Sequence, residues 1–100
     1  MVKTIGNSDD LPKGFALVDF FAIWCHPCMK IKGAYSDLSE TEEYSDVEFF
    51  KCDVDENEDF AKEHDISAMP TFILFKNGKE IARTEGANLE KVQRMMDKHI

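Results

Sequence analysis

Three runs of this chain are apolar with hardly a break, and between them the apolar residues thin out to helical spacing. The densest run, Phe15-Ala16-Leu17-Val18-Asp19-Phe20-Phe21-Ala22-Ile23, has one polar position and predicts a buried central strand over 15–23. Val47 to Val54, with Phe49, Phe50 and Cys52, predicts a second strand, and Pro70 to Phe75 a third. After the first run, Cys28, Ile31, Ala34/Tyr35 and Leu38 recur at helical spacing, and the pattern fades in the polar stretch Ser39 to Glu43. A short helix runs through Phe60, Ala61 and His64, with Asp55 or Asn57 to cap it. Asn77-Gly78 marks a tight hairpin into a strand over Lys79 to Thr84. Gly86 breaks the chain, Asn88 caps a last helix, and Leu89, Val92 and Met95/Met96 form that helix's apolar stripe. Val2 to Ile5 is a candidate edge strand, and Asn7 to Gly14 is loop or a single helical turn.

Strands separated by helices pair in parallel, and a hairpin adds an antiparallel edge. The expected fold is therefore α/β, a central mixed sheet flanked by helices on both faces, in one domain over residues 1–100. No repeat, low-complexity tract or Pro/Gly/Ser-rich linker interrupts it.

Composition narrows the function. A net charge of −8 and a pI near 4.7 lack the basic patch that nucleic acid or an anionic lipid surface would require. No segment is long and apolar enough to span a bilayer. Three cysteines are an odd and small number for a secreted disulfide scaffold. The first six residues, Met1 to Gly6, lack the apolar stretch of a signal peptide. The expectation is a reducing, cytoplasmic setting in which cysteines are kept for chemistry.

Trp24-Cys25-His26-Pro27-Cys28 carries that chemistry. Pro27 suits the first turn of a helix, so Cys25 belongs where a strand hands over to a helix. A helix N-terminus favours the thiolate, which is the nucleophile in disulfide exchange. Cys28 lies about one turn further on and faces the core, with Cys25 expected to be exposed at the tip. Structural zinc needs four ligands, and the only other thiol is Cys52, mid-strand and best read as a core residue.

The neighbours admit two uses each. Trp24 either shields the pair and offers partners a flat surface, or only packs. His26, when protonated, stabilises the Cys25 thiolate and makes the couple more oxidising, or it is solvated and inert. Asp19 is either buried with a raised pKa, as a proton acceptor for Cys28, or meets water at a strand edge. Lys51 reaches Asp19 from a neighbouring strand or snorkels to solvent. Met69-Pro70 opens a strand, and cis X-Pro bonds are too rare for the dipeptide to predict one. His64 and His99 read as ordinary helix residues.

Taken together, these residues resemble the thioredoxin family over nearly the whole chain. The matching motifs are Val18-Asp19-Phe20, Trp24-Cys25-x-Pro27-Cys28, Lys51-x-Asp53-Val54-Asp55, Met69-Pro70-Thr71-Phe72, Asn77-Gly78 and Gly86-Ala87-Asn88, in order. The short length and Gly86-Ala87-Asn88 are similar to the animal type. The resemblance implies a protein-disulfide reductase in which Cys25 attacks, Cys28 resolves and Asp19 is the buried acid/base. It also implies that Pro70 is cis and forms a substrate groove with Trp24 and Met69. No bound cofactor or metal is implied. Electrons would come from an NADPH-dependent reductase, and the partners would be that reductase and disulfide-bearing proteins, met by a monomer.

Three departures stand out. His26 replaces the family's Gly, which moves the chain toward the disulfide isomerases, so that an oxidase or isomerase is one alternative. A redox-linked protein-binding module is the other. The first helix is cut down to Asn7–Gly14. Gly33 stands where the family has a helix-kinking Pro, so a straighter or more flexible active-site helix is expected.

Overall fold

The computed structural model describes residues Met1–Ile100. Five strands form a single sheet in the order β1-β3-β2-β4-β5. They are β1 (Val2–Thr4), β2 (Phe15–Phe21), β3 (Val47–Asp53), β4 (Thr71–Lys76) and β5 (Lys79–Glu85). β1 and β2 run parallel to β3, whereas β4 is antiparallel to β2 and to β5, so the sheet is mixed as expected. Asn77 and Gly78, both at positive φ (52° and 81°), turn the β4–β5 hairpin.

Alternation along the strands sorts the core into two halves. On one face Leu17, Phe49, Phe72 and Leu74 pack with Tyr35 and Leu38 of α2 (Lys32–Ser39) and with Val92 and Met96 of α4 (Leu89–His99). On the other, Val18, Phe20, Cys52, Ile73 and Phe75 pack with Phe60 of α3 (Glu58–Glu63). Helices therefore cover both faces. Between β1 and β2 only a 3-10 turn, Ser8–Asp10, remains, and Leu11 helps cover the sheet there.

Several boundaries differ from the sequence expectation. The central strand ends at Phe21, because Ala22 turns in beside the cysteines while Ile23, though apolar, is 71% exposed. The active-site helix is not straighter for lacking proline. It breaks at Ile31 (φ −94°, ψ 0°) into α1 (His26–Lys30) and α2. The break lets the two pieces aim separately: Cys28 into the thiol cluster, Tyr35 and Leu38 into the larger core. Asn57 occupies the cap position of α3, yet its side-chain amide donates to the Asp53 carbonyl instead of capping. Asn88 does cap α4, accepting from the Lys91 N–H at 3.2 Å.

Candidate active site

Cys25 stands at the junction the sequence indicates. It has extended backbone as the N-cap of α1, and its Sγ accepts a hydrogen bond from the Cys28 N–H at 3.3 Å. Pro27 occupies the first turn, where its missing N–H costs nothing. A disulfide joins Cys25 to Cys28, with Cα atoms 5.3 Å apart. The asymmetry is weaker than expected. Cys28 is 1% exposed, and Cys25, expected at an open tip, is itself only 6% exposed. Phe21, Met29, Val54 and Met69 close around the pair. Cys25 Sγ lies 3.7 Å from the Met69 carbonyl oxygen, and the Met69–Pro70 bond that follows is cis.

Trp24 is two-thirds exposed, and its indole N–H donates to Asp55 Oδ2 at 2.7 Å. That bond holds the ring at the surface, beside the cysteines in sequence. Ile23 continues the exposed apolar edge. His26 is exposed and forms no ion pair or side-chain hydrogen bond.

Asp19 is buried in β2, 5% exposed, and its Oδ1 has no hydrogen-bond partner. Burial pushes its pKa up from 3.8 to about 7, with the positive charge of Lys51 acting in the other direction. Lys51 is its register partner on β3, but neither residue takes part in an ion pair. Asp19 and Cys28 line the same cleft beneath α1 and α2. A carboxyl poised near neutral pH thus shares a wall with the inner sulfur.

Cys52 is fully buried on the opposite face, and burial, with Asp53 and Asp19 adding negative charge, pushes its thiol up to about 12. It is a core residue, as read. No group of three or more His, Cys, Asp or Glu side chains is arranged to hold a metal.

Tyr35 and His64 do more than their place in the sequence pattern suggested. The Tyr35 hydroxyl donates to the Phe50 carbonyl at 2.8 Å and the Leu17 carbonyl at 3.3 Å, tying α2 to strands β2 and β3 next to Asp19. A tyrosine at a core position of the helical stripe was the available signal, since a buried phenol needs a partner. His64 is not the ordinary helix residue expected but the C-cap of α3. It packs edge-on against Phe60 and Phe75, and its Nε2 has no hydrogen-bond partner. The i,i+4 spacing of Phe60 and His64 carried that information.

The thioredoxin family profile matches residues 6–98. The chain belongs to the thioredoxin family. It is 50% identical to Thioredoxin-1 of Saccharomyces cerevisiae over 72 residues, 72% of this chain and 68% of that protein. It is 37% identical to thioredoxin of Callithrix jacchus over the full length of both. The structure of Malassezia sympodialis thioredoxin superposes with a TM-score of 0.90 at 38% identity, covering 99% of this chain and 90% of that one. As a thioredoxin-family member with its cysteine pair in place, the chain is a thiol–disulfide oxidoreductase that reduces protein disulfides.

Proposed function

We propose that the chain runs a two-step dithiol exchange with Cys25 outermost and Asp19 as the proton acceptor within. The Cys25 thiolate attacks a substrate disulfide; a Cys25–substrate bond forms and one substrate sulfur leaves and takes up a proton. Cys28 then gives its proton to the Asp19 carboxylate and attacks the Cys25 sulfur. The Cys25–Cys28 disulfide forms, and the second substrate sulfur leaves and is protonated. Two electrons and two protons have moved to the substrate.

The observation that carries this assignment is the Cys28 N–H donated to Cys25 Sγ. A hydrogen bond to the charged form of a group favours that form, and only the outer sulfur receives one here. Trp24 and Met69 supply an apolar rim on which a substrate segment docks, with the buried Pro70 next to Met69. Lys51 tunes Asp19 through its charge, and His26 tunes the outer sulfur.

A flavoprotein reductase drawing on NADPH returns the pair to the dithiol form, and the setting is a reducing one such as the cytoplasm. No helix of the chain is long and apolar enough to cross a membrane. The test is insulin reduction with NADPH and a thioredoxin reductase. Turnover is expected for the native chain, and its loss is expected when both cysteines are changed to Ser. Turnover surviving that double change would refute the exchange mechanism.

A further inference from the structure

The cleft beneath α1 and α2 has a volume of about 560 Å³, and the exchange reaction uses only Asp19 and Cys28 of its lining. That volume falls within the roughly 300–1,000 Å³ typical of small-molecule sites. Phe21, Ile23, Met29 and the ring of Tyr35 give it an apolar wall, and Asp19, Lys32, Ser36, Glu40 and Lys51 give it a polar one. The Met29 thioether is a favourable neighbour for an aromatic ring.

The polar wall selects the ligand further. Asp19 is 5% exposed and lines the cleft, and its Oδ1 accepts no hydrogen bond from the protein, so a donor entering the cleft satisfies an acceptor that is otherwise unpaired. Lys32 and Lys51 oppose a cation there, and carboxylates at Asp19 and Glu40 oppose an anion. What fits is a neutral donor on an apolar body.

We propose that this cleft binds a small uncharged aromatic molecule bearing one hydroxyl, which donates to the Asp19 carboxyl while the ring lies among Phe21, Ile23 and Met29. Cys28 shares the cleft wall, so the ligand sits behind the sulfur pair and away from the Trp24–Met69 rim. On the reading of Asp19 as proton acceptor, an occupied cleft delays release of the substrate by Cys28 and leaves the first attack by Cys25 unaffected.

Benzyl alcohol and toluene are suitable probes, because they share a ring and differ in the donor. Titrating each into the full chain, with the methyl signals of Ile23 and Met29 followed by NMR, gives both affinities. Both signals are expected to shift with saturation. The preference for the alcohol over toluene is expected to fall about tenfold in Asp19→Leu, the equivalent of one hydrogen bond. If Asp19→Leu does not fold, Asp19→Ala carries the same comparison. Unshifted signals, or a preference that Asp19 does not alter, would overturn the site. In rapid-mixing reduction of a fluorescent disulfide, benzyl alcohol is expected to prolong the mixed disulfide. Binding without that delay would overturn the regulatory part. Insulin reduction without probe reports separately on the exchange mechanism.

Discussion

The two faces of the sheet bury similar sets of large apolar side chains and carry opposite chemistry. Beneath α1 and α2, Asp19 meets a cleft and titrates near 7. Beneath α3, Cys52 lies in a closed core of Phe20, Phe60 and Phe75, and its thiol is held near 12. Both groups sit on neighbouring central strands, and burial is the main cause of both shifts. The difference is access: one face stops short of closure and leaves its titratable group beside a cleft, and the other closes fully. A buried titratable group is useful only if something can reach it.

The largest effect should come from the outer sulfur. Cys25→Ser is expected to lower insulin reduction by at least about a thousandfold, because a hydroxyl without an activating base is a poor nucleophile. Cys28→Ser should keep the first step and stop at the mixed disulfide, visible by mass spectrometry as the chain plus one substrate. Cys52→Ala should change the rate by no more than about twofold. If Cys52→Ala abolished activity as fully as Cys25→Ser, the contrast between the faces would be broken.

Next comes the closed face itself. Phe60 is 2% exposed and packs against Phe20 and His64. Phe60→Ala is expected to cost about 3–5 kcal/mol in urea unfolding, as other buried aromatic truncations do. Its pH–rate profile should keep the native shape, since nothing on this face takes part in proton transfer. A displaced inflection would show that the two faces are coupled.

Asp19→Asn probes the open face in rate and in stability. Removing a general base costs about a hundredfold or more, so resolution of the mixed disulfide should slow by that order and lose its inflection near pH 7. Stability should move the other way. The folded pKa is raised, so between about pH 4 and 7 the folded chain keeps a proton that the unfolded chain has released. Stability therefore falls as pH rises through that window and stays low above it. About three units correspond to roughly 4 kcal/mol at most. Because a buried amide retains part of that cost, Asp19→Asn should stabilise by about 2 kcal/mol at pH 8 and by nothing at pH 3, measured by urea unfolding. Equal stability changes at both pH values would show that Asp19 is not buried in its charged form.

Much of this contrast was legible along the chain, because it is a matter of alternation. Phe20 and Cys52 fall on one side of the strands, Asp19 and Lys51 on the other, and a single carboxylate in an apolar run announces a cost that needs a use. The Asn77-Gly78 hairpin and the Asn88 cap were equally plain, since each rests on a few adjacent residues. What was not legible depends on how elements lie against each other. Ile23 and Phe21 are both large and apolar, yet Ile23 is left outside because the chain turns at Ala22 to seat the cysteines. The break at Ile31 involves neither proline nor the glycine two residues on. It follows from two cores that one straight helix would not serve. The near-burial of Cys25 comes from Met69, distant in sequence and brought in by β4.

His26 gives the smallest effect and the sharpest limit on the comparison, since it belongs to neither face. Exposed at the start of α1 and without a side-chain hydrogen bond, it has only its charge with which to act on the Cys25 sulfur. One exposed charge contributes at most about 1 kcal/mol. For a two-electron couple that is about 20 mV, so His26→Gly should make the pair more reducing by no more than that, read in glutathione buffers. His26→Gln keeps a side chain and better helix propensity than Gly, which separates loss of charge from loosening of the first turn. If charge is the cause, both variants shift alike and the shift shrinks in 1 M salt, where the screening length falls to about 3 Å. A shift seen only with Gly would place the cause in the backbone of α1. No shift in either variant would leave the cleft face alone in setting the chemistry of the pair.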